Sequence, residues 1–372
     1  CSSDLLPQGL GNSYWHKTYF STYSQESYVN VSSLGGDVTL RQSATLPGGT
    51  ESEAQSLLQA WYENKFLYST LSADLAPAAV VKPWLRLSET TVTSFTTLFQ
   101  LLPGTLRTTA FSGDINLVGD LTLSPSSTGT IELLANGSIN ALQPNGVVTL
   151  ASGPTTTWGY STINLSDTSP LGLPGITSPI GRNNVNVSGP TAANTSLPLI
   201  DTIDKRLTES GATVGLLLDI KQSLHASVPL HLNDTSPTRL FANEGDISGL
   251  TLFSPKAAHI IAGRDVSDVS LYIQNIGATD TSIVSAGRDI LAYNSASDLG
   301  LLAANTGNAL NLDARPLAGD IQISGPGTLQ VLAGRDIDLG TGANNANGTG
   351  TGITSIGNTR NPYLSSEGAD IL

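Results

Sequence analysis

The chain has 372 residues, of which 13% are charged and 39% are hydrophobic, and its net charge is −13. Such an acidic chain is poorly suited to bind nucleic acid or an anionic membrane surface, so the charge argues against both. The charged fraction is low for a helical protein and the hydrophobic fraction is high for a disordered one. The composition therefore favours one long solenoid over two or three ordinary domains.

Cysteine and methionine usage bears on the origin of the chain. Cys1 is the single cysteine, and methionine is absent. A chain without methionine is expected to be a processed or excised segment of a longer protein, and one cysteine cannot form an internal disulfide. Cys1 followed by Ser2, Ser3 and Asp4 is also compatible with a lipoprotein anchor. No run approaches the ~18 apolar residues that a membrane helix needs.

The first predicted unit, residues 1–46, is an amino-terminal flank followed by one coil of a solenoid. Residues 1–28 are rich in Tyr and Ser, which favours an irregular or edge segment. Residues 28–40 read as the first coil, which ends at a Gly35-Gly36-Asp37 turn.

Residues 47–97 are predicted to be an inserted helical segment. Thr50 and Glu53 form a capping box, in which each side chain can satisfy a free backbone amide at a helix start. Apolar residues follow at helical spacing, at Ala54, Leu57, Leu58 and Trp61. We expect a helix over 51–72, packed on the side of the solenoid, with a partner-binding arm as the alternative.

The rest of the chain is divided into three units by whether short strand patterns are present. Residues 98–151 are predicted to form solenoid coils, with buried strands at Ile131–Leu134 and Val147–Leu150. Residues 152–240 are rich in Pro, Gly, Ser and Thr and are predicted to be an irregular surface excursion. Residues 241–372 are predicted to form coils again.

A short motif recurs through the last of these units. An apolar run and a small residue precede Gly-Arg-Asp, and an apolar residue follows it. The motif predicts a strand, a tight turn and a new strand, with Gly supplying a positive φ and Asp bonding its own neighbouring amides. The predicted turn residues are Gly263, Arg264, Asp265, Gly287, Arg288, Asp289, Gly334, Arg335 and Asp336, with Gly319 and Asp320 in a shorter copy.

Weaker copies and their spacing identify the fold class. They lie at 34–40, 111–117, 118–123, 135–139, 243–247 and 366–371. The apolar residues that follow the turns are separated by 24 residues from Ile115 to Ile139 and by 19 from Ile247 to Val266. Residues alternate in polarity after each turn, which indicates one buried and one exposed face. The pattern predicts an all-β solenoid whose coils carry loops of variable length.

The Ala-Gly-Arg-Asp-Ile copies resemble the filamentous haemagglutinin family of large bacterial exoproteins. The resemblance implies a right-handed parallel β-helix and export by an outer-membrane two-partner transporter. It also implies a secreted or cell-surface location and a role in adhesion to glycans or proteins of host or neighbouring cells. The Asn-Pro-Asn signatures of the family's secretion domain are absent, and Asn361-Pro362-Tyr363 is the nearest string. The resemblance therefore implies a shaft segment.

Parallel β-helices also include polysaccharide lyases and glycosidases, so a carbohydrate-active enzyme is the alternative function. Its carboxylates and cations would be the stacked Asp265, Asp289 and Asp336 with the arginines that precede them. A residue that recurs in every coil is more simply explained by a structural role. We predict no catalytic, cofactor or metal site, although a calcium ladder of turn aspartates is a second alternative.

Isolated features complete the prediction. The histidines at 16, 225, 231 and 259 are scattered, and we expect them to be solvated. Seven Asn-x-Ser/Thr sequons, among them Asn164, leave glycosylation open. The turn arginines are expected to point outward near like charges. On that basis Asp289→Ala should destabilise the protein more than Arg288→Ala.

Overall fold

The computed structural model describes residues 23–42, 101–150, 153–172, 207–292, 320–339 and 352–372. All of them belong to one compact unit. Several predictions fall outside the described residues: the flank before residue 23, the inserted helical segment 47–97 and Gly319.

The described residues are mostly β-strands, here numbered in chain order. The first eleven are β1 (Tyr28–Ser33), β2 (Val38–Gln42), β3 (Leu101–Leu102), β4 (Thr105–Ala110), β5 (Ile115–Leu123), β6 (Thr130–Ala135), β7 (Ile139–Asn140), β8 (Leu142–Leu150), β9 (Gly153–Leu165), β10 (Thr238–Ala242) and β11 (Ile247–Ser248). The others are β12 (Leu250–Ser254), β13 (Ala258–Ala262), β14 (Val266–Ser267), β15 (Ser270–Gln274), β16 (Thr281–Ala286), β17 (Ile290–Leu291), β18 (Asp320–Ser324), β19 (Thr328–Ala333), β20 (Ile337–Asp338), β21 (Gly352–Ser355) and β22 (Asp370–Ile371). A helix, α1 (Leu216–Leu224), and a 3-10 turn, Pro170–Gly172, lie between β9 and β10.

The strands form parallel sheets that the chain visits in a fixed order. Sheet I has eight strands in the order β1-β4-β6-β10-β13-β16-β19-β22. Sheet II contains β2, the first half of β5 and the short strands β7, β11, β14, β17 and β20. Sheet III contains β3, the second half of β5 and the strands β9, β12, β15, β18 and β21. Sheets II and III are continuous through β5.

The chain passes from sheet I to sheet II to sheet III and then returns to sheet I. Seven such passes begin at β1, β4, β6, β10, β13, β16 and β19. Every pairing between successive passes is parallel, so each pass lies beside the one before it. This order is that of an all-β, parallel, solenoid-like fold, as the repeated motifs predict.

Columns of identical or similar side chains form the core between the sheets. In sheet I the small residue before each turn gives a column of alanines: Ala110, Ala135, Ala242, Ala262, Ala286 and Ala333. In sheet II the residue after each turn gives a second column: Val38, Ile115, Ile139, Ile247, Val266, Ile290 and Ile337. Five of these seven, from Ile115 to Ile290, have no exposed surface. In these five passes the apolar residue after the turn points into the core, as its position in the motif predicts, whereas Ile337 in the last described turn is 47% exposed.

Three of the predicted motif copies occupy other places. Residues 118–123 lie within β5, and Asp320 opens β18, where it pairs with Ser270 in sheet III. Asp370 lies in β22 of sheet I. The prediction that these copies are turns of the same kind is wrong, because an Asp followed by alternating residues also occurs within or at the start of a strand, in sheet III for Asp320 and in sheet I for Asp370.

The predicted irregular excursion at 152–240 contains regular structure. Strand β9 spans 13 residues; its first part pairs with β8 in an antiparallel hairpin and its last part joins sheet III. Val147–Leu150, predicted as a strand of a coil, belongs to this hairpin. The prediction is wrong for β9 and α1, because neither a hairpin nor a short helix repeats the polarity alternation of the coils.

The corner between sheets II and III requires a left-handed backbone in three passes. Gly119 and Gly249 have φ of 87° and 74° there, and Asp268 has φ of 53° at the same corner. Asp268 is the one described non-glycine residue with a positive φ. Glycine adopts this conformation at little cost, whereas other residues lose about 1–2 kcal/mol.

Candidate functional site

The Gly-Arg-Asp turns connect sheet I to sheet II, and their glycines lie against the preceding turn. A Cβ built on Gly263 would overlap the Asn243 carbonyl oxygen, and one on Gly287 would overlap the Gly263 carbonyl oxygen. The same holds for Gly334 against Gly287. None of these three has a positive φ. The prediction that they supply a left-handed backbone is wrong: close stacking of successive turns excludes a side chain.

The residue directly before the Val or Ile that opens each sheet II strand forms a continuous ladder along the turns. In each pass its side chain accepts a hydrogen bond from the backbone N–H of the equivalent residue in the next pass. Asp265 Oδ1 accepts from the Asp289 amide and Asp289 Oδ1 from the Asp336 amide, both at 3.2 Å. Earlier rungs join Asp37 to Asp114, Asp114 to Ser138, Ser138 to Asp246 and Asp246 to Asp265. The expected partner, an amide of the same turn, is replaced by an amide of the next turn.

The arginines bind the same carboxylates from the next turn. Arg288 donates from Nε at 3.0 Å and from Nη2 to the two oxygens of Asp265. Arg335 makes the same two-bond contact with Asp289, with Nε at 3.1 Å. Arg264 lies only within 3.5 Å of Asp246. The side chains of Arg288 and Arg335 are 37% and 57% exposed, so they point outward as expected, but each has a carboxylate partner.

These contacts shift the protonation equilibria of the pairs. Hydrogen bonding to Asp265 raises the pKa of Arg288 above its usual value. Burial raises the pKa of Asp289, but the bonds from Arg335 and the Asp336 amide lower it by more, so the net shift is downward. The carboxylates and guanidinium groups of the repeat are therefore bonded to one another between passes.

A segment before β10 lies across the outer face of sheet III. Residues 207–225, here called the brace, contain α1 and contact β9, β15 and the loop after β21. Asn164 of β9 donates to the Leu207 carbonyl at 2.7 Å, and its Oδ1 accepts from the Glu209 amide at 3.3 Å. Beyond β21, Arg360 donates to the Ser210 carbonyl at 2.9 Å, and Gln222 donates to the Thr359 carbonyl at 2.5 Å. The brace thus joins passes that are not neighbours.

Charged side chains are concentrated where the brace ends on the sheet. His225 Nδ1 lies 3.1 Å from Asp167 Oδ2, and His225 Nε2 lies 3.9 Å from Glu209 Oε1. The side chains of His225 and Asp167 are only 4% and 3% exposed. Nδ1 is within hydrogen-bond distance of Asp167 but is not aligned with it, and this contact together with the charges of Asp167 and Glu209 raises the pKa of His225 against the effect of burial.

The surrounding groups fix Asp167 and place a second cation nearby. Asp167 Oδ2 accepts hydrogen bonds from Asn361 at 3.1 Å and from Gln274 at 3.4 Å. The Arg360 guanidinium lies 4.5 Å from the Tyr272 ring centroid, and that ring stacks on Phe253 at 4.8 Å. Burial lowers the pKa of Arg360 and raises that of Tyr272.

Asp320, predicted as a turn residue, belongs to this side of the molecule. It is 4% exposed and accepts a hydrogen bond from Gln322 Nε2 at 2.9 Å. Burial raises the pKa of its carboxyl to about 6, and Arg360 and Gln322 oppose the shift only in part. Asp320 is therefore a proton-binding group near neutral pH.

A second buried ionic cluster lies at the entry to sheet I. Lys256 Nζ donates to Asp234 Oδ2 at 2.6 Å, and His231 Nδ1 lies 3.3 Å from the same oxygen. The Lys256 and His231 side chains are 2% and 0% exposed. Burial lowers the pKa of Lys256 by more than Asp234 raises it. Burial raises the pKa of Asp234, but bonds from His231, Lys256 and the Ser236 amide lower it far below its usual range.

The sequence gives little signal for either ionic cluster. The expectation that His225 and His231 are solvated is wrong, because both side chains are buried beside carboxylates. The residues around His225, such as Asp167 and Asn361, are far from it in sequence and belong to no recognisable motif. Asn164, within a sequon, is 1% exposed and bonded to the brace, so the folded protein does not present it for glycosylation. Only the unusual density of charge within 204–234 hints at a packed segment.

Over the described ranges, no group of three His, Cys, Asp or Glu side chains is placed to hold a metal ion. No helix in those ranges is both long and apolar enough to cross a membrane.

Comparison with known proteins gives no match, whether with family models, curated proteins or solved structures.

Proposed function

We propose that this chain is a shaft segment of a large secreted bacterial adhesin of the filamentous haemagglutinin type, folded as a right-handed parallel β-helix. The observation that carries the proposal is the ladder of Gly-Arg-Asp turns. Its repeated residues bind one pass to the next. The most frequent motif of the sequence therefore stabilises the stack of passes. A stack of this kind gives length and stiffness.

The proposal extends to location and partners. The shaft is exported by an outer-membrane transporter of the two-partner type and projects from the bacterial surface. Its ligands are glycans or proteins of host or neighbouring cells. With a net charge of −13, nucleic acid is not among them.

An export experiment tests this proposal. The full chain, with a carboxy-terminal epitope, is joined to the secretion domain of a two-partner exoprotein and expressed with and without the matching transporter. We expect the epitope to reach the surface of intact cells only when the transporter is present. Retention of the fusion inside the outer membrane in both cases would contradict the proposal.

One observation favours the alternative, a carbohydrate-active enzyme. Asp320, with a pKa of about 6, and Glu209, whose pKa is raised by burial, lie near Arg360 on the outer side of sheet III. A carboxyl group with a raised pKa is what a general acid requires. The brace covers this face, which argues against access by a polymer.

Digestion of polysaccharides separates the two functions. The chain is incubated with acidic and neutral polysaccharides, and new reducing or unsaturated ends are measured. The shaft predicts no turnover. Turnover that is lost in Asp320→Asn but kept in the turn variant Asp336→Asn would favour the enzyme, since Asp336 lies at the exposed end of the described ladder.

A further inference from the structure

Besides its hydrogen bonds with the loop after β21, the brace is attached to sheet III by two kinds of contact. At its start, Asn164 holds Leu207 and Glu209 by hydrogen bonds between neutral groups. At its end, His225 is held between two carboxylates and forms an isolated antiparallel bridge with Thr168. Only the second attachment depends on a side chain that gains and loses a proton near neutral pH.

Every element packed around His225 brings a charged group to it. The segment after β9 supplies Asp167, and the start of the brace supplies Glu209. Helix α1 supplies Lys221, which donates to the Thr208 carbonyl, and the loop after β21 supplies Arg360. Asp320 and Tyr272 lie farther out beside Arg360.

The balance of charge at this attachment depends on His225. With His225 protonated, two carboxylates face three cations, and the ring attracts both carboxylates. With His225 neutral, Asp167 and Glu209 face a ring that offers them no charge and no aligned hydrogen bond. Asn361 and Gln274 still donate hydrogen bonds to Asp167, but the two buried carboxylates then lose the nearest opposite charge, and such a loss is costly in a buried site.

We propose that the brace is a pH-sensitive latch: protonated His225 holds residues 207–225 on sheet III, and loss of that proton loosens them. Loosening uncovers Tyr272, which lies against Gly211, and Arg360, which donates to Ser210. The Tyr272 ring in turn stacks on Phe253. The latch is independent of whether the chain is a shaft or an enzyme, because it rests only on contacts within the brace and sheet III.

The pKa shifts of His225 and Glu209 both predict that the brace is held less tightly as the pH rises. Burial lowers the pKa of His225, but Asp167 and Glu209 raise it by more, so the folded value lies above the usual 6.5. The stabilisation is therefore complete below pH 6.5 and is lost as the pH rises through the folded value. Burial also raises the pKa of Glu209, and that contribution falls with rising pH as well. The brace should be held more tightly in mild acid than in mild alkali.

Hydrogen exchange of the full chain, followed by mass spectrometry at pH 6 and pH 9, tests the latch. After correction for the intrinsic exchange rate, we expect a several-fold loss of protection in peptides from 216–225 at the higher pH. Peptides covering β13 and β16 should keep their protection, because their core residues carry no charge. Equal protection of α1 at both pH values would overturn the proposal.

Two variants and a control assign the effect to His225. His225→Gln should give low protection of α1 at both pH values. Glu209→Gln keeps the size of the side chain and should move the transition to lower pH, which also covers the case in which His225→Gln fails to fold. His259→Gln, on β13, should leave the wild-type pH dependence unchanged. If His225→Gln and Glu209→Gln both retain that dependence, the latch does not reside in this cluster.

Discussion

Gly287 illustrates how tightly the turns stack at the scale of single residues. A methyl group there would overlap the Gly263 carbonyl oxygen of the preceding turn. Gly36 directly precedes the ladder residue Asp37 of an earlier turn, the place that Arg288 takes before Asp289, and nothing lies within 4 Å of a Cβ built on it. Gly287→Ala should therefore lower the free energy of unfolding by about 1–3 kcal/mol, the usual cost of overpacking, while Gly36→Ala should have little effect. Urea denaturation of both variants measures the difference, and equal losses would contradict the stacking.

Arg288 and Arg264 occupy equivalent positions but have different partners. Arg288 makes a two-bond contact with Asp265, whose side chain is 4% exposed, whereas Arg264 only approaches the more exposed Asp246 at 3.5 Å. Removing Arg288 leaves a buried carboxylate with one backbone donor. Arg288→Ala should cost roughly 1–3 kcal/mol of unfolding free energy, and Arg264→Ala about 0–1 kcal/mol.

The same contact revises the expectation that Asp289→Ala costs more than Arg288→Ala. The difference should be smaller than the sequence predicts, since Arg288 is not the free surface cation that its position suggested. Thermal unfolding of Asp289→Ala, Arg288→Ala and Arg264→Ala gives the order of their losses in stability. If Arg288→Ala does not change the melting temperature, the turn arginines are surface cations that contribute little to stability.

At the scale of elements, the entry to β10 depends on the buried pair of Lys256 and Asp234. This pair joins the segment before β10 to the turn after β12, and Lys256 is almost wholly buried. Asp234→Ala leaves the ammonium group without its partner and should cost about 3 kcal/mol. The double variant Asp234→Ala with Lys256→Met removes both charges and should recover much of that loss. A double variant no more stable than Asp234→Ala would show that packing, and not the unpaired charge, sets the cost.

At the scale of the whole molecule, the sequence predicts the repeating part well and the added parts poorly. The apolar residue after each turn, from Ile115 to Ile290, repeats a local pattern, so its burial can be read without knowledge of the fold. Asp320 shows the limit, because a Gly-Asp pair opens a strand in one place and closes a turn in another. The contacts of His225 with Asp167 and of Arg360 with Ser210 join residues 58 and 150 positions apart. No periodicity reports such contacts, because they depend on how the folded passes lie beside one another.

The brace should also change how the stack unfolds. In a solenoid each unit contacts its neighbours, so distant units can open separately. Here Asn164 and Arg360 attach one segment to passes at β9 and beyond β21, which couples units that do not touch. In hydrogen exchange under mild denaturant, peptides from β9 and β21 should open together in the wild-type protein.

Asn164→Ala removes both bonds from β9 to the brace and should let the β9 and β21 peptides open at separate free energies. Asn140→Ala is the matched control, because Asn140 is also buried but bonds only Asp114 and Asn116 of the adjacent pass. Each lost buried hydrogen bond costs about 1–3 kcal/mol, so both variants should lose stability. Only Asn164→Ala should lose the coupling. If the two variants open alike, the brace covers the sheet without joining its passes.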